Sequence, residues 1–298
     1  MPSHPSLATA GGTPALRHVK MASNATPSTG SKRRQVLRKT ALFWTLLAIP
    51  LWLAAQNSDP PAAQTQTFDK PLQKKVVDLG PSPSNPPGEQ HIRIKLSCYS
   101  FPHFTVKQYD SGQKGAEWLS IAPRGHGSQP ACSESHGPGE KVIDGNEWSG
   151  YFRGVKGNLV FFNADDGYDG GLPFAVFDSR TGKKIFHDSA YEASMWNKRT
   201  PGGLFDHLRV DKAEDGTFRL RYLRVVEAGC DLHRDRMKCW ASVKSKLGLK
   251  DTLMESCFGY EQISDHYDSV VGYPVEVLLT SQPVVKTVPG PVKCWPVD

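Results

Sequence analysis

Between Thr217 and Val226 the chain reads Thr-Phe-Arg-Leu-Arg-Tyr-Leu-Arg-Val-Val, so Phe218, Leu220 and Tyr222 alternate with Arg219 and Arg221. A period of two puts the apolar side chains on one face of an extended strand and the arginines on the other. A helix would scatter the same residues round its circumference, so this segment points to a sheet with one buried face.

The same logic recurs along the chain. Ile92-Arg-Ile-Lys-Leu96 alternates apolar and basic residues, and Tyr151-Phe152 and Leu159-Val-Phe-Phe162 flank the turn-forming Lys156-Gly157-Asn158. Phe174-Ala-Val-Phe177 and Lys183-Lys-Ile-Phe186 predict a second hairpin across Asp178-Ser-Arg-Thr-Gly182, where Gly182 supplies a positive φ. Tyr273–Thr280 and Val284–Val288 predict a closing hairpin, with Pro274 and Pro283 at strand ends or on an edge. Arg236 to Leu249 departs from this pattern. Its Met237, Trp240, Val243 and Leu247 recur every three or four residues, as on one face of a helix. The expected fold is mainly β, an antiparallel sandwich or irregular barrel with one short amphipathic helix. The Asp-x-x-Thr-Gly-Lys-Lys hairpin at Asp178 is similar to those of β-propeller blades, but a propeller repeats its signature about every 40 residues and this one occurs once.

The N-terminal part has another character. A basic cluster, Lys32 to Lys39, leads into the apolar run Ala41–Ala55, interrupted by no charge. A charged head, an apolar middle and small residues at the end read as an export signal over 1–55. The run has 15 residues, short of the 20 or so that cross a bilayer, which favours a cleaved signal over an uncleaved membrane anchor. Arg33-Arg34-Gln35-Val36-Leu37-Arg38 resembles the bacterial twin-arginine export motif, with Lys32 where that motif usually carries Ser or Thr. Residues 56–90 are rich in Pro, Ser, Gln and Thr and predict a disordered, extended tether. Residues 91–298 then form a single globular domain, large enough for one substantial core.

The net charge of +6 suggests nucleic acid as a partner, yet its distribution argues against that. Seven of the 36 Lys and Arg lie in residues 1–55, which hold no Asp or Glu; the remaining 29 face 30 acidic residues, a net of −1. The basicity belongs to the targeting segment, whose membrane contact is transient unless it stays as an anchor.

All six cysteines (Cys98, Cys132, Cys230, Cys239, Cys257 and Cys294) follow the export-like segment. An even number in an oxidising compartment predicts disulfides, and of the 15 possible pairings we prefer Cys98–Cys132, Cys230–Cys239 and Cys257–Cys294. A zinc site at Cys132-x-x-x-His136 with His126 and Glu140 is the competing reading; it lacks a second close pair of ligands.

The sharpest polar motif is Asn163-Ala-Asp165-Asp166-Gly-Tyr-Asp169-Gly-Gly, four oxygen-bearing side chains on a glycine-rich backbone. Asn163, Asp165, Asp166 and Asp169 are candidate calcium ligands, against the alternative of a solvated turn; no other cofactor is expected. Asp265-His266-Tyr267-Asp268 near Glu261, and Asp206-His207, place histidines beside carboxylates, although sequence neighbours in an extended chain do not face each other. No nucleophile elbow, His-Glu-x-x-His pair or phosphate-binding glycine loop is present, so no catalytic residue is assigned. Trp118, Trp148, Trp196, Trp240 and Trp295, with Tyr151, Phe152, Tyr168 and Tyr191, offer either a sugar-stacking surface or core. The expectation is a periplasmic or extracellular cell-envelope protein that binds an envelope polymer or envelope protein without catalysis. The alternative is a hydrolase of envelope polysaccharide or peptide that uses Asp165, Asp166 or Asp169 with a histidine.

Overall fold

The computed structural model describes residues 67–86, 88, 91–125, 129–191, 207–250, 254, 257–261 and 267–297, all in one compact unit that begins at Ala62. The export-like segment, Trp196, Asp206 and the Asp265-His266 pair lie outside the described residues.

Two antiparallel sheets, neither closed into a barrel, make up the described chain. Sheet 1 is a five-stranded meander in chain order: β1 (Gln73–Pro81), β2 (Arg93–Ser100), β3 (Phe104–Asp110), β4 (Trp118–Pro123) and β5 (Lys141–Asp144). Sheet 2 has nine strands. Its path is β13 (Val284–Thr287), β12 (Ser269–Leu279), β11 (Phe218–Glu227), β9 (Lys184–Tyr191), β8 (Gly171–Asp178), β7 (Leu159–Asn163) and β6 (Tyr151–Lys156). β10 (Arg209–Lys212) pairs with β11, and β14 (Lys293–Pro296) pairs with β12.

β7 and β8 explain the layering. Val160 and Phe162 of β7, with Ala175 and Phe177 of β8, join Val106, Leu119, Ile121 and Ile143 of sheet 1 in one buried cluster. Their sequence neighbours Leu159, Phe161, Phe174 and Val176 turn the other way, into a cluster with Leu220 and Tyr222 of β11 and Val271, Tyr273 and Val275 of β12. With both faces covered, these strands read as continuous apolar runs rather than alternating ones. Over the second cluster lies the one helix among the described residues, α1 (Arg236–Leu247). It buries Cys239 and Val243 and half-buries Trp240 and Leu247, whereas Met237 is 88% exposed. The buried stripe is therefore displaced from the expected one, because the Cys230–Cys239 bridge sets the face that meets the sheet.

The predicted hairpins form. β6 and β7 are joined by Gly157-Asn158, and Gly157, at φ +60°, takes the first central position, the glycine site of a II′ turn. Between β8 and β9, Gly182 sits at φ +65° and its N–H donates to the Asp178 carbonyl. Pro274 lies inside β12 rather than at an end. It sits where β12 changes neighbour from β14 (up to Gly272) to β13 (from Val275), a gap in the ladder where no N–H is needed.

The tether reading is corrected in part. β1 lies within residues 56–90, paired along its length with β2. The prolines permit this because Pro71 precedes the strand and Pro81 ends it, which leaves Gln73 to Gly80 free to donate. Just before β1, Phe68 packs against Phe161 at 5.2 Å and the Asp69 N–H donates to the Val155 carbonyl. The folded unit thus reaches well upstream of His91.

Three disulfides staple the fold: Cys98–Cys132, Cys230–Cys239 and Cys257–Cys294, the pairs preferred from the sequence. No described cysteine is free, and three bridges suit an oxidising compartment. Among the described residues, no helix is long and apolar enough to cross a membrane.

Candidate functional site: a strapped pocket on sheet 1

The outer face of sheet 1, turned away from sheet 2, carries a cross-strand row. Cys98 of β2 stands opposite Lys107 of β3, Lys107 opposite Ser120 of β4, and Ser120 opposite Val142 of β5. Directly paired residues project from the same side of a sheet. Within the connection from β4 to β5, the described residues 129–140 cross this row as a strap, fixed at Cys132 by the disulfide to Cys98.

Beneath the strap, Lys107 has a side chain only 2% exposed. Its ammonium donates to the Ser135 carbonyl at 2.9 Å, the Ser133 carbonyl at 3.3 Å and Glu140 Oε2 at 3.0 Å, which uses all three protons. Glu140 is equally engaged: Oε1 accepts from Ser120 Oγ at 2.5 Å and from His136 Nδ1 at 3.1 Å, and Oε2 accepts the Gly137 N–H at 2.9 Å. Burial pushes the Glu140 carboxyl up, but the hydrogen bonds from Ser120, Gly137, His136 and Lys107 outweigh it and hold the group at about 2. Glu140 is therefore ionised at neutral pH and cannot donate, so the proton between it and His136 belongs to Nδ1. This leaves Nε2 as the remaining polar atom of the imidazole, whose ring meets the edge of Trp118 at 4.8 Å.

Between strap and sheet is a cavity of about 460 Å³, within the size range of small-molecule sites. Lys107 and Ala122 form its floor, while Pro130, Ala131, Pro138 and His136 belong to the strap. Arg124 lines it from the end of β4; among the described residues no carboxylate pairs with this exposed guanidinium. The sequence singles out Cys132, His136 and Glu140, with His126, as a zinc site competing with the preferred Cys98–Cys132 disulfide; His126 lies outside the described residues. The Cys132 sulfur is instead in a disulfide, and Glu140 is occupied by a lysine. Lys107 and Ser120 were missed. The available signal was a lysine within the strand-like run Phe104-Thr-Val-Lys-Gln-Tyr109, and its register partner on the neighbouring strand is Cys98.

The four candidate calcium ligands do not converge: Asp165 is half-buried beside Gly115, and its charge adds to the Asp166 hydrogen bond that pushes the Lys114 ammonium up. Asn163 Oδ1 accepts from Arg153 at 2.9 Å, Asp166 is paired with Lys114 on the surface, and Asp169 is buried in a small cleft beside Tyr168 and Glu227. The charges of Asp169 and Glu227 push the Tyr168 hydroxyl up. Among the described residues, no three His, Cys, Asp or Glu side chains are placed to hold a metal ion. The aromatics divide as well: Trp295 is fully buried, Trp118, Trp148 and Trp240 are partly covered, and Tyr168 is 65% exposed. Among the described residues they form no shared flat face with the pocket, whose described lining contains no aromatic side chain apart from the His136 imidazole. A further buried polar group, Asp188, accepts from Tyr222 at 2.6 Å and from Arg224 at 3.0 Å and ties β9 to β11 where their described pairing is short.

Comparison with family models, curated proteins and solved structures returned no match.

Proposed function

We propose that the protein is an exported cell-envelope protein whose described domain binds a ligand without transforming it, in the pocket beneath the 129–140 strap. One observation carries this reading: the cavity is preformed, held open by a disulfide on one side and a fully bonded Lys107–Glu140 pair on the other. A pocket that needs no rearrangement saves the ordering entropy that otherwise opposes association. The partner is an envelope polymer or a segment of an envelope protein. The export-like signal and the three bridges support the compartment.

Ligand-observed NMR with soluble fragments of envelope polymer tests it, comparing the native protein with Ala131→Trp, which fills the cavity from an exposed position. Saturation transfer to the native protein and its loss in the variant are expected. Equal transfer to both proteins sinks the pocket.

A second reading, hydrolysis, has a single specific support: Asp169 and Glu227 share one cleft. Two carboxylates flanking a glycosidic bond are the usual apparatus for its cleavage. Hydrolysis of envelope polysaccharide that disappears in Asp169→Asn and Glu227→Gln would establish this reading in place of the first.

A further inference from the structure

Resting on the binding reading above, we propose that the strapped pocket captures the free carboxylate end of a short peptide with small aliphatic side chains.

The groups left over after the protein has satisfied itself lead to this ligand. Lys107 and Glu140 neutralise each other, and their donors and acceptors are used within the protein. The charge that remains at the cavity is the Arg124 guanidinium, a planar fork matched to two carboxylate oxygens. The second available group is Nε2 of His136. With Nδ1 donating to Glu140, the neutral form of the ring presents Nε2 as an acceptor, for which a backbone amide N–H is the complementary donor. A carboxylate with an amide N–H close behind it is the end of a peptide.

The walls choose between a peptide and an acidic sugar. Ala122, Pro123, Pro130, Ala131 and Pro138 present small aliphatic surfaces. Among the described residues no Trp, Tyr or Phe lines the cavity to stack on a pyranose ring, the usual means of holding a sugar. Capture of a terminal carboxylate is an established mode of peptide recognition, and here the clamp is a side chain rather than a backbone nest.

Isothermal titration of the intact protein with acetyl-Ala-Ala, its C-terminal amide and glucuronic acid tests the proposal, using native protein, Arg124→Ala, Arg124→Lys and Ala131→Trp. The free acid should bind at least about tenfold more tightly than the amide. Arg124→Ala should lose this preference, and Arg124→Lys should recover only part of it, since an ammonium lacks the fork. Arg124 is exposed, so unchanged melting temperatures would show that the variants are folded. Equal binding of acid and amide, blocked by Ala131→Trp, would overturn the carboxylate assignment and leave the pocket standing. Binding of glucuronic acid in preference to the peptide would overturn the peptide assignment. If neither ligand binds in a manner sensitive to Ala131→Trp, and the polymer fragments also fail, the inference and the binding reading fall together.

Discussion

The two ends of the described chain are stapled in the same way and filled in opposite ways. Beneath the 129–140 strap, a disulfide closes over an ion pair and a cavity. At the C-terminal end, two disulfides close over α1, β12 and β14, and the space between is packed with Phe174, Tyr222, Val243, Val271 and Val275. A dry apolar core is forgiving in direction and strict in volume. A buried ion pair is the reverse, since it contributes little net stability while both partners are present and becomes a liability when one is lost. The contrast separates a region built to hold the fold from one built to keep a particular shape open.

The largest test of this contrast is a matched pair of truncations followed by urea unfolding. Glu140→Ala strands the Lys107 ammonium and should cost about 3–5 kcal/mol. Phe174→Ala leaves a cavity and should cost a similar amount, about 3–5 kcal/mol. The difference lies in rescue: Lys107→Met combined with Glu140→Leu should recover part of the loss, because no charge is left buried alone, although the Ser133 and Ser135 carbonyls and the Gly137 N–H lose their partners. If the double variant is as unstable as Glu140→Ala, the strap region is not organised round an ion pair, and the comparison collapses.

Removing bridges should have a slightly smaller effect. Cys98–Cys132 spans 34 residues of sequence and Cys230–Cys239 spans 9. Loop-closure entropy then predicts losses of about 4 and about 3 kcal/mol for the respective double serine variants. Ligand affinity discriminates more sharply than stability: only the Cys98/Cys132 variant should weaken binding at the pocket.

Acid gives the smallest of the three effects. The carboxyl of Glu140 is held at about 2 when folded against 4.5 when unpaired, so the unfolded chain binds the proton more readily. Stability contributed by this group is complete above about pH 4.5 and is lost as the pH falls towards 2, a change of about 3 kcal/mol. Urea midpoints measured down this range should fall less steeply in Glu140→Gln than in the native protein. Parallel slopes would remove Glu140 from the acid response.

These two regions also differed in how far they could be read beforehand. The hairpins were legible because their determinants are local: an alternating strand, a glycine at the turn, another alternating strand. The helix was legible as an element, yet the face it buries was not, because a bridge to Cys230 nine residues earlier overrides Met237. β1 was hidden by its flanking prolines, whose effect depends on whether they fall inside or at the ends of a strand. The pocket was legible only in pieces. Lys107 and Glu140 lie 33 positions apart, and nothing local marks them as partners; only the register of β3 on β4 and the return of the strap bring them together. Asp166 shows the converse, since a motif that looks built for an ion holds a lysine from 52 positions upstream.

All the described residues that line the pocket fall between Lys107 and Glu140, and the cysteine that anchors the strap is only nine positions before Lys107. Strand order in sheet 1 follows chain order, so every pairing that shapes the pocket is present in the chain by Asp144, before any strand of sheet 2. The proposed recognition element is thus one stretch of sequence laid on a meander, and sheet 2 covers its inner face. A cassette of that kind can change its specificity by rewriting a single loop while the rest of the protein keeps its role as a mount.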